Sequence, residues 1–549
     1  MARIELAIQA RQVSMPSRGV VTAMPGLLLS DQYAVKANNI RLWRGEVQNR
    51  PGLEYFPAPK QLLANCPIGG SGFTTFGGSF FSVIATEDKH YRYDEASDLW
   101  VDITAAANAP SATTSEPWSF ASALDYLCSS NGFDKVYKWA GTGLHVQVAA
   151  SSPARYLAAF ANRLFLAHVT DSSIIHNNRV RWCADNDLDT WAPGSDPTAG
   201  YMDVLDTPGE ITGLVSYGGY LYVFKRNSIS RISETGLIAP SFAQQVMPYG
   251  VGCLEGRTIV EIAGRLLFLG AEDIYSWAPG TAPTPIGTQI RDEIFQTLNR
   301  GRIRQAFAYH HELFNEYHLV IPIGVTTDIT QSGAWGAIVY VFNYIDQSWS
   351  KFFLDNSTCH VPLYSGETLD EFIDNEPTGS IDWTIQDWTW AIDGGIIGAK
   401  VSRPAIGRIQ TLSTQQGFIA KFQDGDDRDY ATQGFSCEFE TADTQLTPPP
   451  SPPRDHTLNF VTLVVRDRGP ANYILAASMD SGATWKTLGV KSVPGVDDNR
   501  LTYLRFDGNR LTGPTVRIAF GGFGGLSFGA KFGLQRIIYE TQERGTMVR

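Results

Sequence analysis

Six stretches of the chain share one loose pattern, and that repetition restricts the fold more than any other feature. They are Phe76–Asp94, Phe120–Trp139, Phe160–Trp182, Tyr217–Ser233, Ile262–Gly280 and His310–Ile323, the last pairing onward with Ala337–Phe352. Each opens on a small residue or turn, followed by four or five mostly apolar residues. A polar turn and a second short strand ending in an aromatic residue or Arg complete the unit. Continuous apolar runs such as Tyr220–Phe224 and Leu266–Leu269 suit strands buried on both faces. The polar turns Lys225–Asn227 and Ala271–Asp273 suit hairpin tips. With Gly78, Ser122, Asn162, Gly219 and Gly264 as equivalent marks, the steps are 44, 40, 57 and 45 residues. Repeats of this length, each with a few strands, are the signature of propeller blades. One such unit cannot bury both its faces, so the array closes into a ring. The expectation is five or six blades between about Ile68 and Gly425. Trp383–Trp390 and Arg403–Asp424 hold one more blade or an insertion. A pair of β-sandwiches is the competing architecture, and the repeat step favours the propeller.

Composition agrees with an all-β chain. The 549 residues include 52 Gly, 13 Trp, 22 Tyr and 29 Phe, and only 18% are charged. Tight turns and aromatic strands account for that balance better than helices do. The net charge of −12 argues against stable gripping of a phosphate backbone. It is compatible with a surface past which DNA slides, and equally with plain solubility. The six cysteines, Cys66, Cys128, Cys183, Cys253, Cys359 and Cys437, are scattered without a CxxC, which argues against a zinc or dithiol site. Buried reduced thiols are the expectation. The opening MARIELAIQARQ carries charges where a signal peptide needs an apolar core, and no apolar run has the length of a membrane span.

One segment reads as a helix, Thr288–Asn299. Ile290, Ile294 and Leu298 share a face, and Asp292 and Glu293 sit in the early turns. At Leu446 the chain changes character. LTPPPSPPRD (Leu446–Asp455) is a stiff extended crossover, and short strands follow at roughly ten-residue spacing. The expected organisation is an N-terminal arm and first β-segment (1–67), a β-propeller with insertions (68–433) and a C-terminal β-sandwich (434–549), with few short helices.

The sandwich contains SMDSGATW, a complete Asp-box of the S-x-D-x-G-x-T-W form (Ser478, Asp480, Gly482, Thr484, Trp485). Asp480 can accept backbone N–H bonds across the turn, Gly482 permits positive φ, and Trp485 is expected in the core. Sialidases carry several such boxes on propeller blades. Here one box lies outside the propeller, so it is read as a structural turn. DNDLD (Asp185–Asp189) has a calcium-loop rhythm, but Thr190 stands where an EF-hand needs Gly. It and DGDDRD (Asp424–Asp429) are read as loops. His310, His311 and His318 lie on strand-like sequence with the adjacent pair on opposite faces, and are read as structural. Cys359–His360 has no evident partner. GGFGGLSFGAKFG (Gly521–Gly533) lacks the Gly-Lys-Ser/Thr of a phosphate loop. No catalytic residue, metal-ligand set or cofactor site is assigned.

Three stretches carry a family resemblance. They are Met24–Phe56, then Arg155–Val169 with Asn178–Trp191, then Ile211–Ser233 with Val251–Trp277. An R-G-x-x-x-x-R-P-G pattern falls at Arg44, Gly45, Arg50, Pro51 and Gly52, and N-R-L-F, N-R-V-R-W and G-R-L-x-F-L strands follow in order. Together they resemble the tail nozzle proteins of short-tailed bacteriophages, also called tubular tail protein B or packaged-DNA stabilisation proteins. The likeness covers most of Met24 to about Asn299. Gly366–Arg403 and the Pro-rich crossover have no counterpart.

The resemblance implies a virion tail protein assembled in the host cytoplasm, forming a homo-oligomeric ring, a hexamer, below the head-to-tail adaptor. The ring would continue the DNA channel, retain the packaged genome and conduct it during ejection. Tail fibres, spikes or a needle would be neighbours, contact with double-stranded DNA would be transient and non-specific, and no enzyme activity or cofactor comes with it. The alternative expectation is a sialidase-like or glycan-binding propeller of a phage tail.

Overall fold

The computed structural model describes the chain except for residues 1–8, 15–17, 44, 112–115, 329, 332, 366–400, 423–427, 431–432, 435, 448–450, 452, 468–470, 494–500, 522–531 and 544–549. Trp383–Trp390, most of DGDDRD and most of the Gly-Phe segment fall outside the described residues. Five successive four-stranded antiparallel sheets form the blades of a β-propeller. The innermost strand of each comes first in sequence: Gly69–Thr74, Ser119–Ala123, Ala154–Phe160, Ile211–Tyr217 and Val260–Ile262. The hairpins read from sequence form the middle two strands of their blades. Tyr220–Lys225 pairs with Ser228–Glu234, and Arg265–Leu269 with Ile274–Trp277. Leu221, Val223, Phe224 and Leu266 to Leu269 are all buried, as strands packed on both faces must be.

Apolar layers between neighbouring blades hold the ring. Phe73, Leu127 and Trp139 join the first two blades, Cys128, Leu164 and Trp191 the next pair, and Phe165, Trp182 and Phe242 the next. Tyr222, Phe224, Phe268 and Trp277 join the fourth and fifth. Side-chain bonds reinforce these joints: Trp118 Nε1 donates to Thr86 O at 2.9 Å and Ser130 Oγ to Ala154 O at 2.7 Å.

The gap between the fifth and first blades is filled by one end of a 13-stranded sheet, through strands Phe307–His311, Glu316–Pro322, Gly336–Asn343 and Ser348–Ser365. Ser82 Oγ of the first blade donates to Pro362 O at 2.7 Å, and Ile84, Tyr91 and Trp100 pack on Val361 and Leu363. Arg403–Asp424 supplies no separate blade: Val401–Thr411 and Gln416–Phe422 extend the large sheet.

The large sheet then runs through Ala34–Asn38, Glu438–Thr441, Thr515–Gly521, Ala471–Ser478 and Lys486–Val493. This half packs on a second sheet containing Ile40–Trp43, Glu46–Asn49, Phe532–Glu543, His456–Asp467 and Leu501–Asp507. Val461, Leu463, Tyr473, Leu475, Ile518 and Ile537 fill the space between them. Strands from the first 67 residues are therefore shared out: Gln9–Ser14 pairs with Phe532–Glu543, and Leu53–Phe56 with Gln416–Phe422. Arg50, 1% exposed, clamps the join with a bidentate pair to Asp429 at 2.9 and 2.6 Å.

The α-helix spans Arg291–Thr297, shorter than the sequence rhythm predicts. Ile290 and Leu298, which belong to the predicted apolar face, serve as its caps and are buried with Ile294. No described helix is long and apolar enough to cross a membrane.

Candidate functional site

The segments that lead into the innermost strands converge on the propeller axis. Five of them bring a charged residue: Glu116, Arg155, Glu210 and Glu255 precede or open the inner strands of the second to fifth blades, and Arg304 precedes Phe307–His311 of the large sheet. Glu255, 1% exposed, accepts the Tyr156 hydroxyl at 3.4 Å and the Arg257 backbone N–H at 3.3 Å. Arg304 pairs with Glu116. Glu210 lies 3.6 Å from Arg155 and 3.5 Å from His168 Nδ1.

Burial pushes the Glu255 carboxyl up to about 7, against the opposing pull of Arg304 and Arg257. Burial also pushes His168 down to about 4, helped by Arg155 and Arg304. For Arg304, burial works against the charge, yet Tyr156, Glu116, Glu255 and Glu210 together raise its pKa. Beside this cluster lies a cavity of about 260 Å³, lined among others by Gly70, Trp118, Tyr156, Arg257, Phe307 and His360.

None of these axial residues stands out in the sequence. The one available signal is position: each charge sits just ahead of, or at the start of, the strand nearest the axis in its sector.

The residues singled out from sequence lie elsewhere. In the Asp-box, Asp480 Oδ1 accepts from Thr484 N at 2.9 Å and from Ser478 Oγ at 2.7 Å, and Oδ2 accepts from Thr484 Oγ1 at 2.6 Å. Gly482 has φ +88°. These bonds hold the Asp480 carboxyl down to about 2, the Thr484 hydroxyl contributing most. Trp485 is half-buried rather than part of the core, because the return strand Lys486–Val493 lies at the sheet edge with one face open.

Asp187 accepts Asp189 N at 2.8 Å in a closed turn, Asp189 pairs with Lys138, and Trp191 is buried behind them. His318 bonds Tyr309 Oη at 3.0 Å and Glu316 Oε2 at 2.9 Å. His311 packs beside it, and His310 turns away to Tyr344. His360 does find a partner: its ring stacks on Tyr309 at 4.8 Å. All six cysteines are free and buried. Among the described residues, no group of three His, Cys, Asp or Glu side chains is placed to hold a metal ion.

The propeller residues behind the family resemblance tie strands together within single blades. Arg179 pairs with Asp203 and Asp171, Arg181 with Asp171, and Arg265 Nε donates to Ser276 Oγ at 2.7 Å.

The class of protein defined here is a β-propeller whose ring is completed by a sheet shared with a β-sandwich. No family model and no curated protein matches the chain. Among solved structures it is similar to PorZ of Porphyromonas gingivalis, described as a surface component of the type-IX secretion system, at 9% identity and TM-score 0.32. That match covers 55% of this chain and 36% of PorZ, so the chain spans about a third of that protein. It is similar to the dihydro-heme d1 dehydrogenase NirN at 12% identity and TM-score 0.32, covering 67% and 68% of the two chains. AztD of Citrobacter koseri matches at 11% identity and TM-score 0.31, over 54% of this chain and 80% of AztD.

Proposed function

We propose that the protein is a structural subunit of a short-tailed phage tail, the nozzle ring that extends the DNA channel below the head-to-tail adaptor. The observation that carries this reading is the continuous sheet that makes the propeller and the sandwich one body. Force applied to either part is transmitted through hydrogen-bonded strands instead of a linker. Of the motif residues that suggest the family, Arg50 serves this join through Asp429, while Arg179 and Arg181 brace strands within the third blade. A cavity of about 260 Å³ has no room for a double helix, so the DNA channel in this reading lies between subunits of a ring, a hexamer. Retention of the genome, release on ejection, and attachment of fibres, spikes or a needle belong to the assembled ring.

Negative-stain electron microscopy of the purified protein, alone and with adaptor-bearing particles, tests the proposal. Six-fold rings, or added density at the adaptor, are expected. A protein that stays monomeric and never joins such particles would overturn it. The glycan-processing alternative draws no support from the Asp-box, whose carboxylate is committed to its own turn.

A further inference from the structure

Arg257 is a partly buried cation that, among the described residues, forms no ion pair with a carboxylate, although the charge of Glu255 acts on it. Its guanidinium donates to two backbone carbonyls, Arg304 O at 3.3 Å and Thr358 O at 3.2 Å. Among the described residues, no ion pair joins it to a carboxylate: Glu255 receives the Arg257 backbone N–H, and Glu116 is engaged by Arg304. Burial, helped by the charge of Arg304, pulls the Arg257 pKa down against the opposing pull of Cys359, Glu255 and Tyr156. A charge removed from water without a partner is costly, and proteins compensate it with an opposite charge. Two carbonyl bonds use two of the five N–H donors of a guanidinium.

The missing partner has a place to sit. Arg257 lines the axial cavity, and its guanidinium lies 5.4 Å from the ring centre of Phe307, another wall residue. About 260 Å³ is ample for an inorganic oxyanion or a small organic acid. His360, on the same wall, has its pKa pushed down to about 3 by burial and by His318, so at neutral pH it adds a polar ring and no charge. Trp118, Phe120 and Phe307 supply apolar walls that restrict size. A cation beside a recessed, half-open space in a protein of net charge −12 is a selective feature, because the surface as a whole repels anions.

We propose that the propeller axis binds one small anion, a carboxylate or an oxyanion, through Arg257. The proposal concerns the axis of a single subunit and is independent of the role of the whole protein.

Isothermal titration of the full chain at pH 7 and fixed ionic strength tests it, with inorganic phosphate in one arm, malonate in another and chloride as control. Saturable one-to-one binding of phosphate or malonate above the chloride baseline is expected, and the stronger arm identifies the anion type. Arg257→Met should weaken it by about tenfold or more, and Arg257→Lys should retain part of it. Ser71→Leu leaves the cation in place and fills the cavity, so it should also abolish binding; this variant decides the matter if Arg257→Met fails to fold. Binding no stronger than chloride, or unchanged in both Arg257→Met and Ser71→Leu, would overturn the proposal.

Discussion

At the scale of single residues, two carboxylates show opposite uses of the same group. Asp480 is exposed, and its carboxyl is held low by the turn it caps. Its contribution is present above about pH 4 and is lost as pH falls toward 2. Asp480→Ala is expected to lower stability by about 0.5–2 kcal/mol through lost turn bonds, read from urea denaturation at neutral pH. Glu255 is buried and its pKa is raised. The fold favours its protonated form, so the associated stability is full below about pH 4.3 and is lost as pH rises through about 7, by about 3–4 kcal/mol. Glu255→Gln should flatten the stability profile between pH 4 and 8, and an unchanged slope would refute the assignment. Sequence made Asp480 legible because its partners lie within six residues. Glu255, Tyr156, Arg304 and Glu116 come from four different sectors and meet only when the ring closes, so no local pattern announces them.

At the scale of elements, the blade hairpins were readable because each is built from contiguous residues with an apolar run and a polar tip. The helix face was readable for the same reason, although its ends were trimmed where Ile290 and Leu298 became caps. The large sheet was not readable. Ala34–Asn38 pairs with Glu438–Thr441, and periodicity carries no information about partners so remote. Ring closure depends on equally remote contacts. A Cβ on Gly70, in the first inner strand, would come 2.4 Å from His360 O. Gly70→Ala should therefore force the first blade from the large sheet and cost about 1–3 kcal/mol. Hydrogen exchange should locate the loss of protection at Gly69–Thr74 and Ser348–Ser365, with the third and fourth blades little affected.

At the scale of the molecule, the two termini are woven into one sandwich. Gln9–Ser14 lies beside Phe532–Glu543, and Glu46–Asn49 pairs with the other end of the same strand. Removing residues 1–49 should open the core between the two sheets while leaving the blades, whose layers are local, largely formed. Limited proteolysis should then cut first beyond residue 434, and a truncated chain as resistant there as the full one would contradict this.

That weave also has a consequence for synthesis. The partner strand of Gln9–Ser14 begins about 518 residues further along the chain, at Phe532. At roughly 5–20 residues per second, translation keeps the first strand waiting roughly half a minute to two minutes. The blades can form in that interval, one after another, as their hairpins emerge. The sandwich has to wait for Phe532–Glu543, so Gln9–Ser14 finds its partner only once translation has passed that strand. A prematurely terminated copy would carry a propeller and an open sandwich edge, and quality control could recognise it by that edge.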